Sequence, residues 1–134
     1  MQDFISDMII RIKNGYHARL GAIFLSTSSP KICLKILEVL KKEGYIRGFV
    51  EYVDPKTKFI TIKVLLKYDA NGVPAVTNIF RVSTPSRKYY LSVKSFWKPK
   101  STSGFFIVST PKGILIDRDA RLYGQGGEVI CGIY

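Results

Sequence analysis

Histidine and cysteine are scarce in this sequence, and their scarcity argues against a metal centre. The 134 residues include a single histidine, His17, and two cysteines, Cys33 and Cys131, which lie far apart along the chain. A structural zinc site usually needs four closely spaced cysteine or histidine ligands. We therefore expect two small buried cysteines, no metal site and no cofactor.

Long hydrophobic runs are missing as well. No stretch approaches the roughly 20 apolar residues of a transmembrane helix, so we expect no membrane partner. The chain begins with a predicted helix that carries two acids, Asp3 and Asp7, unlike a signal peptide or an arginine- and serine-rich transit peptide. We expect a chain that is made where it works, or one whose targeting segment has been removed.

Acidic residues are absent from the middle of the chain. From Ala70 to Ile116 there is none, while the same range holds seven basic residues: Arg81, Arg87, Lys88, Lys94, Lys98, Lys100 and Lys112. The net charge of the whole chain is +11. Charges of one sign repel each other unless a polyanion neutralises them. Because no predicted helix has the lysine-rich amphipathic face of a membrane-surface helix, nucleic acid is the expected partner.

Aromatic residues are interleaved with these positive charges. They are Tyr89, Tyr90, Phe96 and Trp97. A ring beside a cation can stack on a base or a ribose, or it can pack a small core. For Phe96, packing in a core is the favoured interpretation.

Two helices are predicted in the first half of the chain. Apolar residues recur at helical spacing from Phe4 to Ile12, where Asp3 can cap the start and Gly15 the end. In the second helix, Ser29 and Pro30 suit the N-cap and the first helical position, and Gly44 marks the stop. The buried stripe of this helix is predicted to be Ile32, Cys33, Ile36, Leu37 and Leu40.

Strands and turns complete a predicted α-β-α-β-β unit, with strands at Ala22–Leu25, Tyr45–Val53 and Phe59–Lys67. The last two are joined by a turn at Asp54–Thr57, and a further turn at Asp69–Gly72 precedes Pro74. We expect one domain boundary here, with an N-terminal unit over residues 1–72 and a C-terminal, β-rich, nucleic-acid-binding unit over residues 73–134. The predicted fold class is α+β, and the second unit is mostly antiparallel sheet with one short helix.

The last quarter of the chain supplies the elements of that second unit. Apolar runs predict strands at Phe105–Val108, Ile114–Ile116 and Val129–Ile133. Asp117 can cap a short helix over Arg118–Tyr123, with Gly124 as its stop.

The turn between the first two of these strands, Ser109–Gly113, is the strongest candidate for function. It places the hydroxyls of Ser109 and Thr110, the charge of Lys112 and the bare backbone of Gly113 on one loop tip. Hydroxyls both donate and accept hydrogen bonds, and glycine removes steric bulk, so such a tip can meet a phosphate or a base edge closely. Glu128 leads the last strand and can face this turn from a neighbouring strand.

Two basic residues of the first half are further candidates for nucleic-acid contacts, although simpler structural roles can also explain their positions. Arg11 is placed near the negative end of the first helix, where matching of the helix dipole explains it as well as an RNA contact does. Lys31 follows Ser28 and Ser29 at the positive end of the second helix, which could bind a phosphate, although capping alone explains the serines.

Enzymatic motifs are not supported. The glycines of Gly124–Gly127 lie after a short helix and before a strand, unlike a dinucleotide-binding loop. Nothing around Ser83 or Ser109 resembles a nucleophile elbow, and helix capping and first-turn charge explain Asp117 and Asp119 better than a metal pair does. We expect neither catalysis nor a small-molecule substrate.

The stretch from Ser109 resembles the signature of small-subunit ribosomal protein eight, a universal ribosomal family. The matching residues are Ser109, Thr110, Lys112, Gly113, Asp117, Ala120, Arg121, Gly126, Gly127, Glu128 and Cys131. Further matches lie in Asp3–Gly15, in Leu40–Ile46 and in Arg81–Tyr90, so the resemblance covers nearly the whole chain.

The resemblance implies a structural protein that binds the central domain of small-subunit ribosomal RNA early in assembly and remains beside other small-subunit proteins. It implies RNA contacts by the loop tip and Glu128, with Lys88 and Tyr90 flanking the same surface. The full set of RNA-binding candidates is Ser109, Thr110, Lys112, Gly113, Glu128, Tyr90, Lys88, Arg87, Lys31 and Arg11. The alternative is a basic module that docks an acidic protein partner outside the ribosome.

Some positions depart from the family pattern. Pro111 replaces a second serine of the bacterial turn and removes a backbone donor. Ile116 replaces a threonine, Phe4 replaces a proline, and the Pro99–Ser103 segment diverges strongly. Such divergence favours an organellar ribosome, in the mitochondrial matrix first, with a bacterial or plastid ribosome as the other possibility.

Overall fold

The structure is a computed structural model that describes residues 4–27, 31–92 and 104–134. It contains helices and antiparallel sheets, which confirms the α+β class. Contacts within the chain divide it into two compact units, Met1–Thr77 and Asn78–Tyr134. The division at residues 72 and 73 stays a prediction. Several predicted features lie outside the described residues: the capping by Asp3, Ser29 and Pro30, the roles of Ser28, Phe96 and Trp97, the charges of Lys94, Lys98 and Lys100, and the divergent Pro99–Ser103 segment.

The first unit has the predicted α-β-α-β-β order. Its elements are α1 (Phe4–His17), β1 (Ala22–Thr27), α2 (Lys31–Lys42), β2 (Ile46–Val53) and β3 (Ile60–Leu66). The strands form an antiparallel sheet in the order β1-β3-β2.

Helix α1 continues past Gly15, so the predicted stop at this residue is wrong. A Cβ on Gly15 would lie 2.5 Å from Cγ2 of Ile23, which shows that this glycine lets the helix approach β1 closely. The helix ends two residues later, and the chain turns at Arg19, whose φ is 59°. There the amide of Leu20 donates to the carbonyl of Gly15 at 3.0 Å, closing the helix without a terminal glycine.

Helix α2 ends as predicted. Gly44 has a φ of +83°, and the amide of Tyr45 donates to the carbonyl of Leu40 at 2.8 Å. This left-handed residue followed by a bond back across the last turn is a common helix stop. The predicted stripe is buried at Cys33, Ile36, Leu37 and Leu40, while Ile32 is half-buried.

The sheet of the first unit has a buried face and an open face. Ile23, Ile62 and Val64 are buried on the face that packs against the helices. Side chains alternate along a strand, and Phe24 and Val50 are exposed on the other face. The predicted alternation in β3 is therefore confirmed, although Thr61 and Lys63 are half-buried on the open face rather than fully exposed.

The second unit is a five-stranded sheet with one short helix. Its elements are β4 (Ile79–Arg81), β5 (Tyr90–Leu91), β6 (Phe105–Thr110), β7 (Gly113–Ile116), α3 (Asp117–Leu122) and β8 (Gly127–Ile133). The strand order is β4-β8-β6-β7, and β5 also pairs with β8. All of these pairings are antiparallel, as predicted.

Helix α3 begins one residue earlier than predicted. Strand β7 runs directly into the helix, so Ile116 is the N-cap and Asp117 is already helical. The Asp117 carboxylate accepts a hydrogen bond from the adjacent Arg118 amide at 2.9 Å instead of capping the helix. The predicted stop at Gly124 is confirmed, because its φ is +64° and its amide donates to the Arg121 carbonyl at 3.1 Å.

Among the helices in the described part of the chain, none is both long and apolar enough to cross a membrane.

Candidate nucleic-acid interface

The predicted loop tip is a tight hairpin between β6 and β7. Thr110 pairs with Gly113, so only Pro111 and Lys112 form the turn, and Ser109 lies within strand β6 rather than in the loop. Pro111, Lys112 and Gly113 are exposed. The tip therefore presents one positive charge on a backbone that a partner can approach.

The hydroxyl of Thr110 holds this turn together. It donates to the carbonyl of Gly113 at 2.8 Å and accepts from the amide of Lys112 at 3.1 Å. Gly113 has a φ of +116°, a conformation in which a side chain is strained. Thr110 thus shapes the tip, and its hydroxyl oxygen retains one lone pair for a further donor.

Gly127 brings strand β8 against the base of the hairpin. A Cβ at this position would lie 2.9 Å from the carbonyl carbon of Ser109, closer still to its oxygen, and 3.2 Å from Cα of Thr110. All three atoms belong to the backbone, so no flexible side chain could move aside. A glycine is therefore required for β8 to pair with β6 at this point.

Three candidate side chains form a row across the sheet. Glu128 on β8 pairs with Ser109 on β6 and with Tyr90 on β5. Residues directly opposite each other in antiparallel strands project on the same face. Val108 packs against Ala120 of α3, and because side chains alternate along a strand, Ser109 faces away from that helix. We call Tyr90, Glu128 and Ser109 the polar row.

A compact loop joins the polar row to β4. The side chain of Ser83 is fully buried; its hydroxyl donates to the carbonyl of Tyr89 at 3.1 Å and accepts from the Tyr89 amide at 2.8 Å. Within the loop, the amide of Thr84 donates to the carbonyl of Arg87 at 2.9 Å. These bonds fix the backbone on which Arg87, Lys88 and Tyr90 are displayed.

The charges around the polar row are mainly positive. Arg87, Lys88 and Lys112 are all exposed. Glu128 is more enclosed, and one of its oxygens lies 3.9 Å from Nζ of Lys88. An ion pair this exposed contributes little stability, on the order of 0–1 kcal/mol. Its effect is to orient both side chains while the surrounding surface stays attractive to an anion.

The remaining two candidates lie in the first unit. Arg11 is in the middle of α1, and its Nε lies 3.1 Å from a carboxylate oxygen of Asp7. The predicted position near the negative end of the helix is wrong, because the helix extends to His17. Lys31 is the first residue of α2 and is exposed.

The cysteines do not form a reactive site. Both are buried, and burial raises the pKa of the Cys131 thiol to about 12, because it outweighs the lowering effect of the positive charge of Arg81. Within residues 4–27, 31–92 and 104–134, no three histidine, cysteine, aspartate or glutamate side chains gather as metal ligands.

Sequence reasoning missed the roles of Gly127 and Ser83. The pair Gly126–Gly127 indicates a turn, but no local pattern shows that a strand from elsewhere lies against Gly127. Ser83 stands among polar residues that resemble an exposed loop, and its burial depends on the pairing of its amide with the carbonyl of Val129, which is 3.1 Å away.

Comparison with known proteins identifies the family of the chain. The model of the family described as ribosomal protein S8 matches residues 3–134. The chain belongs to the ribosomal protein S8 family. A small ribosomal subunit protein uS8 of Rickettsia bellii is 41% identical over 134 residues, covering 100% of this chain and 98% of the relative.

Two further uS8 relatives show similar agreement. Those of Rickettsia typhi and Rickettsia canadensis are 40% and 39% identical, again over 100% of this chain and 98% of each relative. The resemblance seen in the sequence is therefore confirmed. Full-length coverage means that the S8 family assignment includes both units and the hairpin with its polar row.

Proposed function

We propose that this S8-family chain is a structural constituent of the small ribosomal subunit, where it binds the central domain of the ribosomal RNA and supports assembly. The observation that carries the proposal is the polar row at the base of a hairpin that displays Lys112. The family assignment and the printed names of the relatives, which are small ribosomal subunit proteins, support it.

Each part of the surface has a role in this proposal. Lys112, Arg87 and Lys88 neutralise phosphates, and Gly113 lets the RNA backbone approach the tip. The ring of Tyr90, which is 65% exposed, stacks on a base or a ribose. Ser109 donates to a base edge or a 2′-hydroxyl, and Glu128 accepts from a base or holds Lys88. An A-form helix offers these groups its wide minor groove and its unpaired bases.

The proposed role is structural rather than enzymatic. The surface supplies hydrogen bonds, a stacking ring and positive charge, which suffice for RNA binding. Its partners are small-subunit ribosomal RNA and neighbouring ribosomal proteins. The relatives reported above are from Rickettsia, so they support a bacterial ribosome; the mitochondrial matrix, favoured from sequence divergence, stays a prediction.

Salt dependence of binding to a central-domain RNA transcript tests the electrostatic part of the proposal. Affinity should fall steeply with salt, because each neutralised phosphate releases counterions. Lys112→Ala should reduce the slope of log K against log salt by about 1. Lys35→Ala makes the same charge change on an exposed part of α2 and should leave the slope unchanged. A flat response in the unmodified protein would contradict the proposal.

Nuclease treatment separates RNA binding from docking on an acidic protein. Ribosomal particles that contain the chain are digested with ribonuclease and sedimented. Release of the chain supports an RNA-held component, whereas retention on the remaining proteins supports the acidic-partner alternative.

A further inference from the structure

The open face of the first unit's sheet has an unusual composition for a solvent-exposed surface. Two large aromatic side chains project from it, Phe24 on β1 and Tyr52 on β2, which are 55% and 52% exposed. Val50, next to Tyr52 on this face of β2, is 42% exposed. Small proteins rarely leave clustered apolar side chains in water without a partner.

The strand register shows how these side chains are arranged. Lys63 on the central strand pairs with Phe24 on one side and with Val50 on the other. One step along the same face, Thr61 pairs with Ser26 and Tyr52. The two rings therefore lie on opposite edges of the sheet, with Lys63 and the hydroxyl of Thr61 on the strand between them and the hydroxyl of Ser26 beside Phe24 on β1. We call this set the open-face platform.

The charge of the platform indicates the chemistry of its partner. The nine described positions in register on this face include one charge, that of Lys63, and no acid: Ala22, Phe24, Ser26, Gly48, Val50, Tyr52, Thr61, Lys63 and Leu65. The adjoining turn adds the exposed Lys56 and Lys58, while its one acid, Asp54, accepts a hydrogen bond from the Lys56 amide at 2.9 Å. An anionic partner complements this face.

We infer that the open-face platform binds unpaired RNA nucleotides by stacking bases on Phe24 and Tyr52, while Lys63 neutralises phosphate. Aromatic rings on a flat sheet accept any base face, and cations between them follow the backbone of a single strand. Neighbouring strands are about 4.8 Å apart, and Tyr52 lies one row of about 7 Å along the face from Phe24, so the two side chains start roughly 12 Å apart on the sheet. That separation suits nucleotides of one extended strand rather than a stacked duplex.

This inference goes beyond the proposed function, because it assigns a second RNA contact to a unit that does not contain the polar row. An apolar protein partner is the competing occupant. The core of a protein–protein interface is depleted in lysine and serine, whereas Lys63 and Ser26 lie on this face among the large side chains.

Binding of the full chain to a labelled single-stranded oligouridine, about ten nucleotides long, tests the inference. Phe24→Leu and Tyr52→Leu keep apolar area but remove the ring face, and each should weaken binding about tenfold. Leu122→Ala, at a side chain that is 78% exposed on α3, is the matched control and should not change it. An RNA duplex of equal length should bind all variants alike.

Tyr90→Leu separates the two RNA contacts in the same assay. If it weakens oligouridine binding while Phe24→Leu and Tyr52→Leu do not, the inference is overturned and the proposed function survives.

Ultraviolet crosslinking of the unmodified protein to oligouridine gives a readout that needs no variant. Crosslinks at Phe24 or Tyr52 support the inference, and crosslinks confined to residues 78–134 overturn it. A third measurement uses ribosomal particles digested with ribonuclease. If these particles retain the unmodified chain but lose the Phe24→Leu variant, the open-face platform binds a protein and the inference is overturned.

Discussion

Replacing Gly127 by alanine tests whether close approach of β8 shapes the proposed RNA surface. The new Cβ would lie 2.9 Å from the carbonyl carbon of Ser109 and closer to its oxygen, whereas ordinary van der Waals contacts begin at 3.4 Å. Strands β6 and β8 must separate there. Forced overpacking costs about 1–3 kcal/mol, and weakened ladder bonds add about 1 kcal/mol. We expect Gly127→Ala to lower the free energy of unfolding by about 2–4 kcal/mol.

The same change should also disturb the polar row, since Ser109 and Glu128 are held opposite each other by this pairing. We expect affinity for the central-domain transcript to fall at least tenfold, which corresponds to about 1.4 kcal/mol. Urea unfolding followed by circular dichroism measures the stability, and hydrogen exchange of the backbone amides of β6 and β8 around Ser109 and Glu128 reports the local pairing.

Gly21→Ala is the matched control for this experiment. A Cβ on Gly21 would meet no atom within 4 Å, so its effect should stay within about 0.5 kcal/mol. If Gly127→Ala unfolds at the same urea concentration as the unmodified protein and binds RNA equally well, then the close approach does not determine the surface.

Three further predictions concern buried or bonded polar groups. Thr110→Ala removes the hydroxyl that bridges the hairpin turn and should weaken specific RNA binding by about 1–3 kcal/mol while sparing random RNA; equal loss on both RNAs would contradict this. Ser83→Ala leaves the amide of Tyr89 without its side-chain acceptor and should cost about 1–3 kcal/mol in urea unfolding, an expectation that an unchanged midpoint would refute. Cys131, whose pKa is raised to about 12 by burial, should resist iodoacetamide at neutral pH until urea unfolds the protein. Because the folded state holds the thiol proton more tightly than the unfolded state does, the thiol stabilises the fold fully below its ordinary pKa of 9.0. This contribution should be lost as pH rises from 9.0 towards 12. Rapid native labelling would show that the thiol is accessible.

Local pattern was a good guide to the elements and to the candidate surface. Helical periodicity and the glycine stop predicted α2, because Gly44 takes its left-handed conformation from its own lack of a side chain. Alternating residues predicted the buried face of β3 in the same way. The hairpin around Lys112 was predicted because proline, glycine and hydroxyl side chains favour turns by local bonding. The sequence pattern also placed Glu128 beside this hairpin, and its pairing with Ser109 confirms that position.

Errors arose where a residue's role depends on a distant part of the chain. Gly15 was predicted to end a helix, yet it remains helical, and Ile23 on β1 occupies the space that a side chain at this position would need. Asp117 was predicted to cap the short helix, but it is itself the first helical residue, and Ile116 at the end of β7 takes the N-cap position. Extending α1 also moved Arg11 to mid-helix, where it pairs with Asp7.

The sequence by itself determined the order of the elements from α1 to β3 and from β6 to β8, the excess of positive charge and the residue types at the hairpin, because these depend on neighbouring residues and on composition. The short strands β4 and β5 were not predicted. Only the tertiary structure decided which strands pair. That pairing aligned Tyr90, Glu128 and Ser109 from three separate strands, buried Ser83, and required a glycine at residue 127. Such relations join residues far apart in the chain, and backbone packing in three dimensions, rather than local preference, selects among the possible pairings.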